Sequence, residues 1–234
     1  GIIILMNLKM LTTIDSSTFY QATNINNEVE IPSTNLLKTI GRNAFREFKG
    51  TITLTNLKML TTIGPFAFYL SIPIPVSVVE ITDGSNLLES IGEYAFANFQ
   101  GKIKLTNLNK LESIGEKAFY RANNIDSVVE ITGEANMLQS IGDGAFSDFQ
   151  GQIKLKNLNA LTTIGTNVFI LATHTASVFD TCIPIMSGDS NAEKISTILN
   201  GYVGKTLGCL SPTTPAPTTT SNRPTTTSNR PTTT

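Results

Sequence analysis

The stretch Leu111-Glu112-Ser113-Ile114-Gly115-Glu116-Lys117-Ala118-Phe119 carries the pattern Leu-x-x-Ile-Gly-x-x-Ala-Phe, and this pattern recurs along the chain. A weaker copy near the start has Asp15 in place of the glycine. A short unit repeated at intervals of about 20 to 50 residues predicts a solenoid, in which each unit packs mainly on its neighbours. The isoleucines that mark the seven copies are Ile14, Ile40, Ile63, Ile91, Ile114, Ile141 and Ile164.

A short strand is predicted before each copy. The strand takes two alternating forms, Gly-x-Ile-x-Leu as in 101–105 and Val-Glu-Ile as in 129–131, so the repeating unit is a pair of rungs. Alternation of apolar and polar residues places Ile103 and Leu105 inward and Lys104 outward. The apolar spacing in Leu-x-x-Ile-Gly-x-x-Ala-Phe favours one or two helical turns that begin at the glycine.

The form Leu-x-Ser-Ile-Gly-x-x-Ala-Phe, at 111–119 and 138–146, closely resembles the BspA-like leucine-rich repeat. The resemblance covers residues 1–181 and implies an α/β solenoid of about seven to eight rungs. The expected fold is a curved array of parallel short strands, with short helices or turns on the convex side. The chain departs from the family where a cysteine often follows the Ala-Phe, because Phe48, Phe99 and Phe149 fill the similar place.

The two ends of the chain differ from each other, because the N-terminal end continues the repeat and the C-terminal end departs from it. Residues 1–11 align without gaps to 50–60, which indicates an array that is truncated at its N-terminus. Residues 182–210 contain a capping-box pattern at 190–193, which predicts a C-terminal helical cap. Residues 211–234 consist almost entirely of Thr, Pro, Ser and Asn, which predicts a disordered stalk or linker, either O-glycosylated or unmodified.

The only two cysteines are Cys182 and Cys209. Neither belongs to a Cys-x-x-Cys pair, so zinc-site and redox motifs are excluded on spacing. We expect the two thiols to form a disulfide that closes the C-terminal end of the array, as an extracellular setting permits. Two free thiols are the alternative.

Several function classes are excluded by composition and motif content. The net charge is −1, with 17 basic and 18 acidic residues and no charge run, so we expect no nucleic-acid partner. The single histidine, His174, has no neighbouring nucleophile or carboxylate in the pattern, and no catalytic or phosphate-binding motif is present. We therefore expect no enzyme activity and no cofactor. No apolar run reaches the roughly 20 residues of a membrane span.

The outward strand positions form the candidate binding face, which the fold would place on the concave side. Their charges alternate in sign, so the row is either a cross-strand ladder that separates like charges or a polar face for a partner. The residues are Glu30, Thr53, Glu80, Lys104, Glu130, Lys154 and Asp180.

Two further columns of polar residues recur with the repeat. A hydroxyl precedes each isoleucine, as Ser113 precedes Ile114, and we expect it to lie on a turn and bond to turn backbone. A recurring asparagine, as at Asn107 and Asn157, is expected to bond to backbone between rungs.

The resemblance implies a surface or secreted protein with a role in adhesion or in host or matrix binding. We therefore expect a non-catalytic, monomeric recognition module that is extracellular or at the cell surface and binds a protein or a glycan. A signalling-receptor ectodomain and an accessory domain of a secreted enzyme are the alternatives, because all three would share this fold.

Overall fold

The computed structural model describes residues 1–32, 36–73, 77–82, 87–133, 136–172 and 178–180 of the 234-residue chain. Sixteen short strands lie in these residues. They are β1 (Ile4–Leu5), β2 (Thr13–Ile14), β3 (Glu28–Ile31), β4 (Thr39–Ile40), β5 (Lys49–Leu54), β6 (Thr62–Ile63), β7 (Ile72–Pro73), β8 (Val78–Ile81), β9 (Ser90–Ile91), β10 (Lys102–Leu105), β11 (Ser113–Ile114), β12 (Val128–Ile131), β13 (Ser140–Ile141), β14 (Gln152–Lys156), β15 (Thr163–Ile164) and β16 (Val178–Asp180).

Two parallel sheets run along the solenoid, and each rung contributes one strand to each sheet. The long-strand sheet has the order β1-β3-β5-β8-β10-β12-β14-β16, with β7 paired beside β5. The short-strand sheet has the order β2-β4-β6-β9-β11-β13-β15. The parallel solenoid predicted from the repeat is confirmed, but the second sheet was not expected.

The core is built from the apolar positions of the repeat. In β10 the side chains of Ile103 and Leu105 are buried while Lys102 and Lys104 are half-buried on the other face, as the period of two predicts. The phenylalanine of every copy joins one continuous stack, in which neighbouring ring centroids are 4.9 to 5.7 Å apart. The stacked residues are Phe19, Phe45, Phe68, Phe96, Phe119, Phe146 and Phe169.

The extra phenylalanines of alternate rungs pack against this stack. Phe48 and Phe149 meet Phe45 and Phe146 nearly edge-on, with centroids 5.7 and 6.0 Å apart. Phe99 meets Phe96 in the same way at 5.8 Å. A large ring therefore fills the space at the place where the family often carries a cysteine.

The predicted helical turns are wrong, because the described residues contain no helix. After Gly41, for example, Asn43 and Glu47 have φ of 56° and 57°, which is the left-handed region and cannot continue a right-handed helix. The N–H of Phe45 donates to the carbonyl of Ala67 on the next rung at 2.7 Å. Alternate N–H groups of each turn bond across to the next rung in this way, so the turns form a third ladder along the solenoid.

The glycine of each Ile-Gly step is needed because neighbouring rungs lie too close for a side chain at this position. A Cβ on Gly64 would lie 2.8 Å from the backbone nitrogen of Arg42, closer than real Cβ atoms come. The repeat therefore keeps glycine for lack of space and not as the start of a helix.

Buried side chains fix the register of the long-strand sheet. The Ser127 hydroxyl accepts a hydrogen bond from the N–H of Ile103 at 2.9 Å, and Ser77 does the same for Ile52 at 2.8 Å. In the first pair of rungs the Oδ1 of Asn27 takes this role, with the N–H of Ile3 as donor at 3.0 Å. All three acceptor residues are at most 2% exposed, so each holds its strand against the preceding rung.

Several predicted features lie outside the described residues. These are His174, the predicted Cys182–Cys209 disulfide, the predicted cap at 182–210 and the Thr/Pro-rich segment 211–234.

Candidate functional site

The predicted binding row lies on the outward face of the long-strand sheet, but the sheet divides it into pairs. Glu80 lies opposite Lys104, with Oε1 2.7 Å from Nζ, and Glu130 lies opposite Lys154, with Oε2 3.1 Å from Nζ. Lys104, however, lies opposite Val128 and not opposite Glu130. The prediction of one continuous alternating ladder is therefore wrong.

The ends of the row are also divided, so that neighbouring row positions are not always opposite each other. Glu30 lies opposite Thr53, whereas Thr53 lies opposite Val78 on the other side. At the last strand Asp180 pairs with Lys156 and not with Lys154. Just before β8 and β12 the Ser77 and Ser127 hydroxyls accept backbone N–H bonds in place of a strand residue, and Glu80 and Glu130 fall two residues beyond the preceding row position.

The hydroxyl column lies on strands of the short-strand sheet and not on turns. Neighbouring members pair directly, as Ser113 does with Ser90 and Ser140. Within the described part of the chain none of the seven hydroxyls forms a hydrogen bond, so the expected bonding to turn backbone is wrong. The column consists of Thr13, Thr39, Thr62, Ser90, Ser113, Ser140 and Thr163.

The asparagine column does bond between rungs. The Nδ2 of Asn107 donates to the carbonyl of Thr82 at 3.1 Å, and that of Asn157 donates to Thr132 at 3.3 Å, as predicted. Both asparagines also have positive φ, 58° and 55°, a conformation that asparagine tolerates better than most residues. This backbone requirement is a second reason for the repeated asparagine.

A cluster of aromatic and cationic side chains covers the turns of the first five rungs. Its members follow the glycine or the phenylalanine of the repeat, at positions that vary from copy to copy. The repeat pattern alone does not indicate this cluster, because its positions are not conserved between the copies of the repeat. We call it the turn-face patch, and it consists of Tyr20, Arg42, Arg46, Phe66, Tyr69, Tyr94 and Lys117.

A stack of two rings between two cations forms the centre of the turn-face patch. Phe66 and Tyr94 are parallel to within 5°, with centroids 5.1 Å apart. The Cζ of Arg42 lies 5.1 Å from the centroid of the Phe66 ring, and the Nζ of Lys117 lies 5.2 Å from the centroid of the Tyr94 ring. Tyr69 meets both rings edge-on at 5.6 and 6.0 Å. Each contact type is worth about 0.5 to 1.5 kcal/mol, so the cluster is ordered by its own side chains.

Arg46 joins the remaining rings to this stack. Its guanidinium is 5.3 Å from the Tyr69 centroid, 5.5 Å from that of Tyr20 and 5.9 Å from that of Phe66. Its Nε is 3.2 Å from an oxygen of Glu47. The cation thus bridges three rings while an acid at the edge balances its charge.

The other two cations of the patch also have acidic partners. The Nη1 of Arg42 is 3.9 Å from the Oε1 of Glu93, and the Nζ of Lys117 is 3.0 Å from the Oε1 of Glu116. The Lys117 ammonium also donates to the Tyr94 hydroxyl at 2.9 Å. This bond first, and the bond to Glu116 second, raise the pKa of Lys117 above its ordinary value, so it remains a cation over the neutral range. Together with Glu47, Glu93 and Glu116, the patch is close to neutral.

Three members of the patch sit in a strained backbone conformation. Phe66, Tyr94 and Lys117 have φ of 57°, 53° and 49°. A bulky side chain in this region costs about 1 to 2 kcal/mol, and such residues concentrate at functional sites. The other rungs fill the same position with smaller residues, which are Ser17, Asn43, Gly144 and Asn167.

The described residues contain neither a metal-ligand group nor a membrane-spanning helix. No group of three or more His, Cys, Asp or Glu in them is placed to hold a metal ion. No helix among them is long and apolar enough to cross a membrane.

Two parallel sheets, a stacked phenylalanine core and a repeated Ile-Gly turn define the class of leucine-rich-repeat solenoids. The model of the BspA type leucine-rich repeat region matches residues 5–125 and 77–185, with six copies. The chain belongs to this family, whose repeat domains are typically non-catalytic and generally occur in surface or secreted proteins. No curated protein and no solved structure matches the chain.

Proposed function

We propose that the chain is a non-catalytic recognition module, extracellular or at the cell surface, that binds a protein partner through the turn-face patch. The observation that carries the proposal is the aromatic centre of the patch with its charged rim. Tyr, Phe and Arg are enriched in the centres of protein interfaces, where a few such residues provide most of the binding energy. Four other rungs fill the position of Phe66 and Tyr94 with Ser, Asn or Gly, so the turn itself does not favour these rings.

The charge balance of the patch specifies how it would bind. Because each cation has an acidic neighbour, the free energy of binding is expected to come from burial of the rings and not from net charge. Binding through the patch should then change little between low and high salt, in contrast to attraction between exposed charges.

The outward face of the long-strand sheet is the second candidate surface. It carries the predicted positions from Glu30 to Lys154 as separate pairs on strands at regular spacing, which would suit an extended protein or glycan. Its Glu80–Lys104 and Glu130–Lys154 pairs already satisfy their charges internally. We therefore rank it below the turn-face patch.

Capture experiments with matched variants test which surface binds. The full chain is immobilised and exposed to a cell-surface or matrix protein extract, and the captured proteins are compared with those from a chain carrying Phe66→Asn and Tyr94→Asn. The variant copies the residue found at Asn43 and Asn167, so the backbone should tolerate it. The control carries Lys104→Gln and Lys154→Gln on the long-strand sheet.

We expect proteins captured by the wild-type chain to be lost with the patch variant and retained with the control, at both low and high salt. The opposite result would assign binding to the long-strand sheet. Equal capture by all three chains would contradict the proposal.

The predicted disulfide provides a separate test of the extracellular assignment. We propose that Cys182 and Cys209 are bonded, which in the chain-entropy model contributes about 3 to 4 kcal/mol for a loop of this size. Thiol labelling without reductant, before and after denaturation, should find no reactive thiol. Two reactive thiols per chain would remove this support for an extracellular protein.

A further inference from the structure

A polar hollow opens on the turns of three successive rungs, beyond the turn-face patch. Its volume is about 360 Å3, within the usual range for small-molecule sites. Every lining side chain is polar. The lining residues are Asn98, Arg121, Asn123, Asp148 and Gln150.

The hollow carries both donors and acceptors that are free to bind a ligand. Asp148 accepts a hydrogen bond from the Nε2 of Gln150 at 2.9 Å, and its Oδ2 lies 3.5 Å from the Nε of Arg121. In the described residues the side-chain amides of Asn98 and Asn123 form no hydrogen bond. Each amide can donate and accept, and the guanidinium has further N–H groups to donate.

We propose that this hollow binds a neutral sugar unit of a glycan. A sugar hydroxyl both donates and accepts, which matches the amides of Asn98 and Asn123. The Arg121–Asp148 pair balances its own charge, so the hollow does not call for a charged ligand. The Arg121 guanidinium, which lies 5.0 Å from the centroid of the Tyr120 ring, is held in place from behind by this contact.

The fold itself does not require these polar residues. The preceding pair of rungs places Leu70 and Ile72 at the positions of Arg121 and Asn123, and both are exposed, by 37% and 47%. The same scaffold therefore accepts apolar side chains here. The backbone therefore does not require a polar side chain at either position.

The experiment measures binding of neutral sugars to the full chain. Methyl glycosides of glucose, galactose, mannose and N-acetylglucosamine are titrated and followed by saturation-transfer NMR, with glucuronic acid as a charged comparison. The test variant carries Arg121→Leu and Asn123→Ile, the residues of the preceding pair. The control carries Lys110→Leu and Gln139→Ile, an equal loss of two exposed polar residues elsewhere, and thermal unfolding checks that each chain folds.

We expect at least one neutral glycoside to bind, and about tenfold weaker binding or none in the test variant, because hydrogen bonds to the ligand are lost. The control should bind as the wild-type chain does. If the test variant fails to fold, Asp148→Asn, which unbalances the Arg121 charge, should shift preference toward glucuronic acid.

Three results would overturn the proposal. They are no saturation with any neutral glycoside, binding of glucuronic acid alone to the wild-type chain, and unchanged binding in the variants. The protein-partner proposal rests on other residues and is tested separately.

Discussion

The molecule contains two aromatic stacks, one inside the solenoid and one outside it. The inner stack takes one phenylalanine from every copy of the repeat, from Phe19 to Phe169, and its members are at most 7% exposed. The outer stack, Phe66 on Tyr94, has a ring spacing of 5.1 Å that is similar to that of the inner stack. It occurs on two rungs only, and its residues are partly exposed.

The difference between the two stacks separates residues that maintain a solenoid from residues that can serve its function. A residue that every rung repeats is explained by packing on the next rung. A residue that breaks the repeat on the surface, against the backbone preference of its position, needs another explanation. By this criterion the inner stack maintains the fold, whereas the turn-face patch is a candidate for recognition.

The largest expected effect is the loss of one ring from the inner stack. Phe96→Ala removes a fully buried side chain between Phe68 and Phe119 and leaves a cavity, which typically costs about 3 to 5 kcal/mol. Chemical denaturation of the purified chain measures the change in free energy of unfolding. A loss below about 1 kcal/mol would show that the stack does not carry the stability attributed to it.

The second effect concerns the buried hydroxyls that fix the register. Ser127→Ala leaves the N–H of Ile103 buried without its acceptor, which should cost about 1 to 3 kcal/mol. Ser113→Ala is the matched control, because its hydroxyl has no hydrogen bond in the described residues, and it should change stability by less than about 0.5 kcal/mol. Equal losses in the two variants would contradict the assigned register.

The third effect separates the outer stack from the inner one. Tyr94→Asn loses the contacts with Phe66 and Lys117 but relieves a strained backbone position, so the free energy of unfolding should change by less than about 1 kcal/mol. Capture of the protein partner should nevertheless be lost. A stability loss as large as that of Phe96→Ala would instead make the outer stack structural.

The sequence predicted the parts of the fold that hydrophobic periodicity determines. Alternation predicted inward Ile103 and Leu105, and repeated spacing predicted parallel rungs. It failed where backbone geometry decides, because an apolar spacing of three and four residues fits a helix as well as a turn with left-handed residues. Whether Asn43 and Glu47 take positive φ depends on bonds to the next rung, which no single repeat reveals.

In the candidate sites, too, the sequence predicted what periodicity determines and failed where bonds between rungs decide. From Glu30 to Lys154 the outward positions lie on one face of the sheet, because the side-chain period is two. Its pairing was wrong, because the buried hydroxyl at Ser127 sets the register and serine carries little strand signal of its own. The aromatic residues of the turn-face patch were visible in the sequence as departures from the repeat, and comparison of copies at each variable position would have found them.

The smallest expected effect tests the corrected register directly. Lys104→Glu places a carboxylate opposite Glu80 and removes a 2.7 Å ion pair between partly exposed groups, which should cost from a few tenths to about 1 kcal/mol and less in high salt. Lys102→Glu on the same strand is the control, because Lys102 lies opposite Val78 and meets no like charge.

A second substitution identifies the partner of position 104. Adding Glu80→Gln to Lys104→Glu should recover most of the loss in the free energy of unfolding, since it removes the opposing carboxylate. Adding Glu130→Gln should recover little, because Glu130 is not opposite Lys104. Recovery by Glu130→Gln equal to that by Glu80→Gln would restore the continuous row and overturn the paired one.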